Sequence, residues 1–320
     1  MNDLTPNPSP ALRPYASEEP AVTVPVFRPP VSPEDQTAFF PHAQGTPPAE
    51  PPVRIPHIGH ALLFLAITGV LLLIAQLLLL GLLHPAAIAG KSPSTSLSPK
   101  LLVGSEALSY LATLAVSWFI FPLLWKRPFA EGIHANLDAA RRNALRLIPI
   151  GVVLSFAVQA MSSLSTLPKN IPLDDFFRTP SDIWLVTAFG ILLAPLFEEV
   201  LFRGFLLPAF AIAYDWLSLP RTPAAYEQWR TSNLLTRPSL VFSAVLTSIC
   251  FAALHGQQTG YAWPVLILLF CVSLALCYVR IRLRSVMAST LIHVSYNATI
   301  FMVAFVATGG YRHLDKIGGH

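Results

Sequence analysis

The sequence predicts an all-α, polytopic transmembrane helical bundle of about seven spans, led by a disordered, proline-rich N-terminal tail. Two observations on composition carry this. Of the 320 residues, 53% are hydrophobic and only 12% charged, against roughly 25% charged in an ordinary soluble domain, and the mean hydropathy is +0.56. The third observation is patterning: from residue 58 onward, apolar runs of about 20 residues, the length that crosses a bilayer as a helix, alternate with short polar connections.

The tail, residues 1–56, is a different material, holding half of the thirty prolines in stretches such as FRPPVSPED and TPPAEPPVRIP. Repeated proline removes backbone donors and favours extended, solvated chain. Nothing in the first thirty residues pairs a basic start with an apolar core, so the first span is expected to act as the insertion signal. Residues 57–320 form the membrane domain. Its first span is expected at 58–83 (IGHALLFLAITGVLLLIAQLLLLGLL), followed by spans at 101–125, 144–166, 182–210, 238–255, 262–280 and 286–308. The fifth is short for a full crossing. The segment between the fourth and fifth, IAYDWLSLPRTPAAYEQWRTSNLLTR, mixes Trp216, Tyr226 and Trp229 with arginines, which suits a connector at the membrane interface.

The basic residues give the orientation. With the N-terminus inside, inner segments hold fourteen lysines and arginines and outer segments six, leaving Arg203 within a span. That bias predicts a cytosolic N-terminus and an external C-terminus; in a bacterial cell the bilayer would be the plasma membrane. The net charge of +4 is read through this placement and gives no nucleic-acid signal. Cys250, Cys271 and Cys277 lie in apolar runs at spacings that fit no zinc or redox motif, as expected of small hydrophobes.

Within the fourth span, LFEEVLFRGFL places two glutamates and an arginine among leucine and phenylalanine. An ionisable group at bilayer depth costs a few kcal/mol even on the lenient insertion scale, so each needs a partner or a wet cavity. Glu199 and Arg203, four apart, share a helix face and are expected to pair. Glu198 points about 100° away and lacks a local partner. The polar residues able to face it are His255, closing the fifth span, and His293 with Asn297, one turn apart in the seventh. These groups supply a base, imidazoles for metal or proton, and an amide donor. Glu106, near the outer end of the second span, is expected to face headgroups or pair with Lys100.

Glu198, Glu199 and Arg203 as E-E-x-x-x-R with Gly204 following, then Phe251 and His255 as F-x-x-x-H, then His293 and Asn297 as H-x-x-x-N, resemble in this order the CPBP family of intramembrane proteases. That family joins the type II CAAX prenyl endopeptidases to bacteriocin-processing and self-immunity (Abi) proteins. The resemblance covers roughly residues 180–308. It implies endopeptidase activity in the membrane on a membrane-associated or prenylated peptide or protein, with Glu198 activating water beside His255. His293 and Asn297 would hold the oxyanion, and Glu199 and Arg203 would orient the site. In a metalloprotease reading, Glu198, His255 and His293 would ligate one divalent metal, zinc; the sequence has no H-E-x-x-H and leaves the metal open. Geometry poses one difficulty. His255 is expected near the outer end of its span and His293 about two turns from the inner end of its own, so either the fifth span sits deeper or residues 256–263 (GQQTGYAW) dip into a wet cavity. The dip is the favoured expectation. Two other functions fit the same residues: a non-catalytic membrane scaffold or immunity protein, and a proton- or cation-coupled transporter, the latter without a visible internal repeat.

Overall fold

The computed structural model describes residues 54–83, 99–164 and 180–314; the expected tail at 1–53 lies outside the described residues. The described residues are helical, with no strand among them. In chain order the helices are α1 (Ile58–Leu83), α2 (Pro99–Trp125), the single turn α3 (Phe129–Gly132), α4 (Leu137–Ser163), α5 (Pro180–Ala188), α6 (Ala194–Glu199), α7 (Leu207–Ser218), α8 (Pro223–Thr231), α9 (Arg237–Leu254), α10 (Trp263–Leu283) and α11 (Val286–Ala307). Two π-helical segments, Phe189–Leu193 and Val200–Leu206, join α5, α6 and α7 into one continuous rod. Counting that rod once, from Ser181 to Ser218, the described residues include seven helices long and apolar enough to cross a membrane.

Each predicted span is present, and the differences in length have local causes. The third begins at Leu137, not 144, because Asn136 caps it by accepting a hydrogen bond from the Ala139 N–H at 2.9 Å, so its first two turns are polar and escape an apolar window. The fourth runs on to Ser218. There Asp215 is 5% exposed and accepts the Thr236 N–H at 3.0 Å and the Ser239 hydroxyl at 2.9 Å, which fastens the end of α7 to the start of α9. A buried acid bonded in this way is satisfied, though in sequence it reads as the end of a span. The tail boundary also moves. Arg54 donates to the Ser232 carbonyl and stacks 3.5 Å over Trp229, and Pro56 is buried, so residues 54–56 belong to the bundle. Trp216 lies 5.6 Å from the Trp229 ring and 6.1 Å from Tyr226, which makes the 212–237 connector the aromatic and cationic cap expected of it. The expected Lys100–Glu106 pairing is not formed: Lys100 pairs with Asp182 at 3.5 Å.

Two cores hold the bundle. One is aromatic: Phe64, Phe121, Trp125, Phe129, Phe197 and Phe205 stack where α1, α2 and α3 meet the rod. The other joins α4, α10 and α11 through Leu147, Leu276, Ile292 and Tyr296. In lipid, helices associate by close packing and small residues permit it. Gly151 shows the need: a Cβ there would stand 2.5 Å from the Ile292 carbonyl oxygen and 2.7 Å from Ser295 Cβ. All three cysteines are free thiols.

Candidate active site

The rod's apolar sequence keeps it helical through the motif, and its π-helical turns set the rotation of the charged residues. A π-turn inserts one residue into the helical repeat and occurs often at functional sites. The second such segment begins directly after Glu199 and includes Arg203. Both side chains are wholly buried, and Arg203 Nη1 donates to Glu199 Oε1 at 2.9 Å. The other end of the guanidinium, Nη2, donates to Ser273 Oγ at 2.7 Å and to the Ser273 carbonyl at 3.2 Å. The pair expected from four-residue spacing is therefore present, and it also ties the rod to α10.

His293, 5% exposed, comes from α11 and meets both glutamates. Its Nδ1 lies 3.0 Å from Glu199 Oε1, and its Nε2 lies 3.8 Å from Glu198 Oε2. Glu199, ionised by its pairing with Arg203, can only accept, so Nδ1 carries the proton. That fixes the tautomer and aims Nε2 at Glu198. At 3.8 Å the two atoms are too far apart for a direct hydrogen bond and close enough to share a proton carrier. Glu198 keeps 16% of its side chain exposed, where Glu199 keeps none. The two adjacent carboxylates thus occupy distinct environments, one locked and one open.

The remaining motif residues attach differently. His255 caps the C-terminus of α9, and its Nδ1 donates to the Phe251 carbonyl at 2.8 Å, leaving Nε2 free to accept. Its ring lies 4.6 Å from the Phe251 ring, which lies 6.0 Å from His293 and 4.9 Å beneath the Arg203 guanidinium. Phe251 thus stands between His255 and His293 and beside Arg203, and His255 makes no direct bond to the glutamates or to His293. Asn297 donates one amide N–H to the Gly190 carbonyl at 2.7 Å, bonding α11 to the first π-helical segment. Gly190 admits this approach; a Cβ there would be 2.9 Å from the Phe301 ring.

The approach of Phe251 to His293 bears on how α9 and α11 align. Counting from the arginine-bearing ends, Phe251 is 14 residues beyond Arg237 (251 minus 237) and His293 is 7 beyond Val286 (293 minus 286). The two rings approach each other, so α9 is offset along its axis relative to α11. The loop after it is a compact series of turns, with Thr259 N–H donating to the His255 carbonyl at 3.1 Å and Tyr261 N–H to Gly256 at 2.8 Å.

Glu106 and Tyr110 on α2 were not expected here. Both lie close enough to Glu198 to interact with its charge, and the Tyr110 ring stacks on Phe197 at 3.7 Å. Their spacing, one helical turn on one face, was the available sequence signal. The donor chemistry for a metal is present in part: both imidazoles have Nδ1 held by an acceptor and Nε2 free, the usual state of a ligating histidine. Among the described residues, however, no three His, Cys, Asp or Glu side chains stand at metal-binding spacing. The proposed set of Glu198, His255 and His293 therefore does not fit a metal in this geometry.

Residues 180–299, which contain every residue of this cluster contributed by the rod, α9, α10 and α11, match the family model of Type II CAAX prenyl endopeptidase Rce1-like. The chain finds no match among curated proteins and none among solved structures.

Proposed function

Through residues 180–299 the chain belongs to the CPBP family of intramembrane proteases, and we propose that it is an endopeptidase that cleaves a prenylated, CAAX-type protein or peptide with a water activated by Glu198. The matched domain and the seven membrane-length helices make it an integral, multi-pass protein and a CAAX-type protease. The finer reading rests on one observation: His293 sits between two glutamates, bonded to the buried one and facing the open one.

In this reading Glu198 takes a proton from the water, whose oxygen adds to the scissile carbonyl carbon. The negative charge that develops on the carbonyl oxygen is met by the second amide hydrogen of Asn297, an N–H donor. As the C–N bond breaks, Glu198 returns the proton to the leaving amine, so no proton is gained or lost over the cycle. Glu199 and Arg203 hold His293 in one tautomer and do no proton transfer themselves. The same reading places the N-terminus in the cytosol, following the basic bias.

The test is cleavage by the purified full chain, in nanodiscs, of a farnesylated CAAX peptide and of the same peptide unprenylated. Faster cleavage of the prenylated peptide supports the substrate class, and equal rates refute it. A chelator arm, with zinc added back, reads metal dependence separately.

A further inference from the structure

A cavity of about 470 Å³ lies among the turn after α3, the starts of α7 and α9 and the end of α10, and no residue of the Glu198–His293 cluster lines it. Four of its lining residues are arginines, Arg54, Arg127, Arg280 and Arg284, against one carboxylate, Glu131. Arg54 is already engaged with Trp229 and Ser232. Arg280 is not neutralised. It is 7% exposed, it donates only to the Ile133 carbonyl at 3.3 Å and His134 Nδ1 at 3.0 Å, and its Nε is buried with no hydrogen-bond partner. Among the described residues it forms no ion pair. Burying a guanidinium without a counter-charge is costly, and a fork geometry with a free donor matches the oxygens of a phosphate.

The walls around the charge are fixed. Val286 N–H donates to the His134 carbonyl at 3.0 Å, and Ser285 Oγ donates to the Asn136 carbonyl at 2.6 Å, so the turn after α3 is fastened to the turn between α10 and α11. The opposite wall is apolar, with Leu207, Ile212 and Leu240. A compact cation cluster beside an apolar wall suits an amphiphile whose anionic head and acyl chain separate at the membrane surface.

We propose that this cavity binds a phosphate group, with Arg127, Arg280 and Arg284 around its oxygens, and that the apolar wall receives an acyl chain when the phosphate belongs to a lipid. The site is separate from the protease cluster and stands whether or not that assignment holds.

The experiment measures melting temperature and binding for the full chain in a neutral detergent, with three probes: dioctanoyl phosphatidylglycerol, dioctanoylglycerol, and inorganic phosphate. Phosphatidylglycerol is expected to raise the melting temperature in a saturable way, and dioctanoylglycerol to leave it unchanged. Arg280→Gln and Arg284→Gln should each weaken binding by about tenfold or more, the value of a charge-assisted hydrogen bond. Arg237→Gln, which removes an exposed arginine outside the lining, should bind as wild type. If Arg280→Gln does not fold, Arg284→Gln and Arg127→Gln carry the comparison. Stabilisation by inorganic phosphate without the lipid supports the site and assigns it to a free anion. No response to either phosphate, an equal response to dioctanoylglycerol, or an equal loss in Arg237→Gln overturns the proposal.

Discussion

Glu199 Oε1 receives an N–H from Arg203 and another from His293, and the side chain is wholly buried, so the carboxylate is fixed in place and shut off from solvent water. Glu198, one residue earlier, has no such commitment. The expected consequence is a split of roles. Arg203→Ala strands a buried carboxylate, a loss of about 3–5 kcal/mol, so the variant should give little folded protein, read as a lower melting temperature and a lower yield from membranes. An Arg203→Ala protein as stable as wild type would show that the pair is not structural. Half of this was readable in the sequence. Four-residue spacing on a helix gives the Glu199–Arg203 pair, and the cost of an unpaired charge in lipid singles out Glu198. The double contact of His293 was not readable, because it depends on how α11 is rotated against the rod. Glu106 was expected at the headgroups or paired with Lys100 for a similar reason: its approach to Glu198 is set by packing of α2, which no local pattern encodes.

At the scale of elements, the helix that carries His293 is positioned by a glycine on its neighbour. Gly151→Ala would press a methyl group into the Ile292 carbonyl and Ser295; overpacking of this kind costs about 1–3 kcal/mol. It should lower the melting temperature and, by displacing α11, cleavage as well. Gly69 is the control. Its added Cβ would meet nothing within 4 Å, and alanine favours the helix by up to about 1 kcal/mol, so Gly69→Ala should match or exceed wild-type stability. Equal effects of the two substitutions would contradict the packing account. The turn after α3 supplies a pH test. Burial, and then the charges of Arg280, Arg284 and Arg127, push the His134 imidazole down to about 4, below its ordinary value near 6.5. Between these values the unfolded chain binds more protons, so stability should fall as pH drops from about 6.5 to about 4. His134→Asn, which tolerates the left-handed backbone at this position (φ 56°), should flatten melting temperature against pH across that window; an unchanged profile would assign the dependence elsewhere. Helix number and most ends were legible from hydropathy. The polar ends of α4 and α7 were not, since they rest on the Asn136 cap and the Asp215 network, and the π-helical turns leave no mark in the periodicity of so uniformly apolar a segment.

The described residues form a bundle in which four arginines line one cavity and the Glu199–Arg203 pair lies wholly buried elsewhere. From the odd number of spans among the described residues and the fourteen-to-six basic split we propose that the two ends of the bundle lie on opposite sides, the N-terminal end in the cytosol. Reporter fusions after Arg127 and after Lys169, which flank the third span, should therefore report opposite compartments, the first cytosolic; a shared compartment would break the topology. The fold class followed from composition because lipid demands long apolar helices and little else, and the meeting of Glu198 and Glu199 with His293 of the seventh span answers to the same cost of polar groups at depth. The central claim is that the open glutamate is the base. Glu198→Gln keeps the shape of the side chain and removes its basicity, and active-site polar groups often cost stability. Peptide cleavage and melting temperature of the purified Glu198→Gln protein should show turnover abolished and a melting temperature equal to or above wild type. Substantial residual turnover in a protein of wild-type stability would contradict the account.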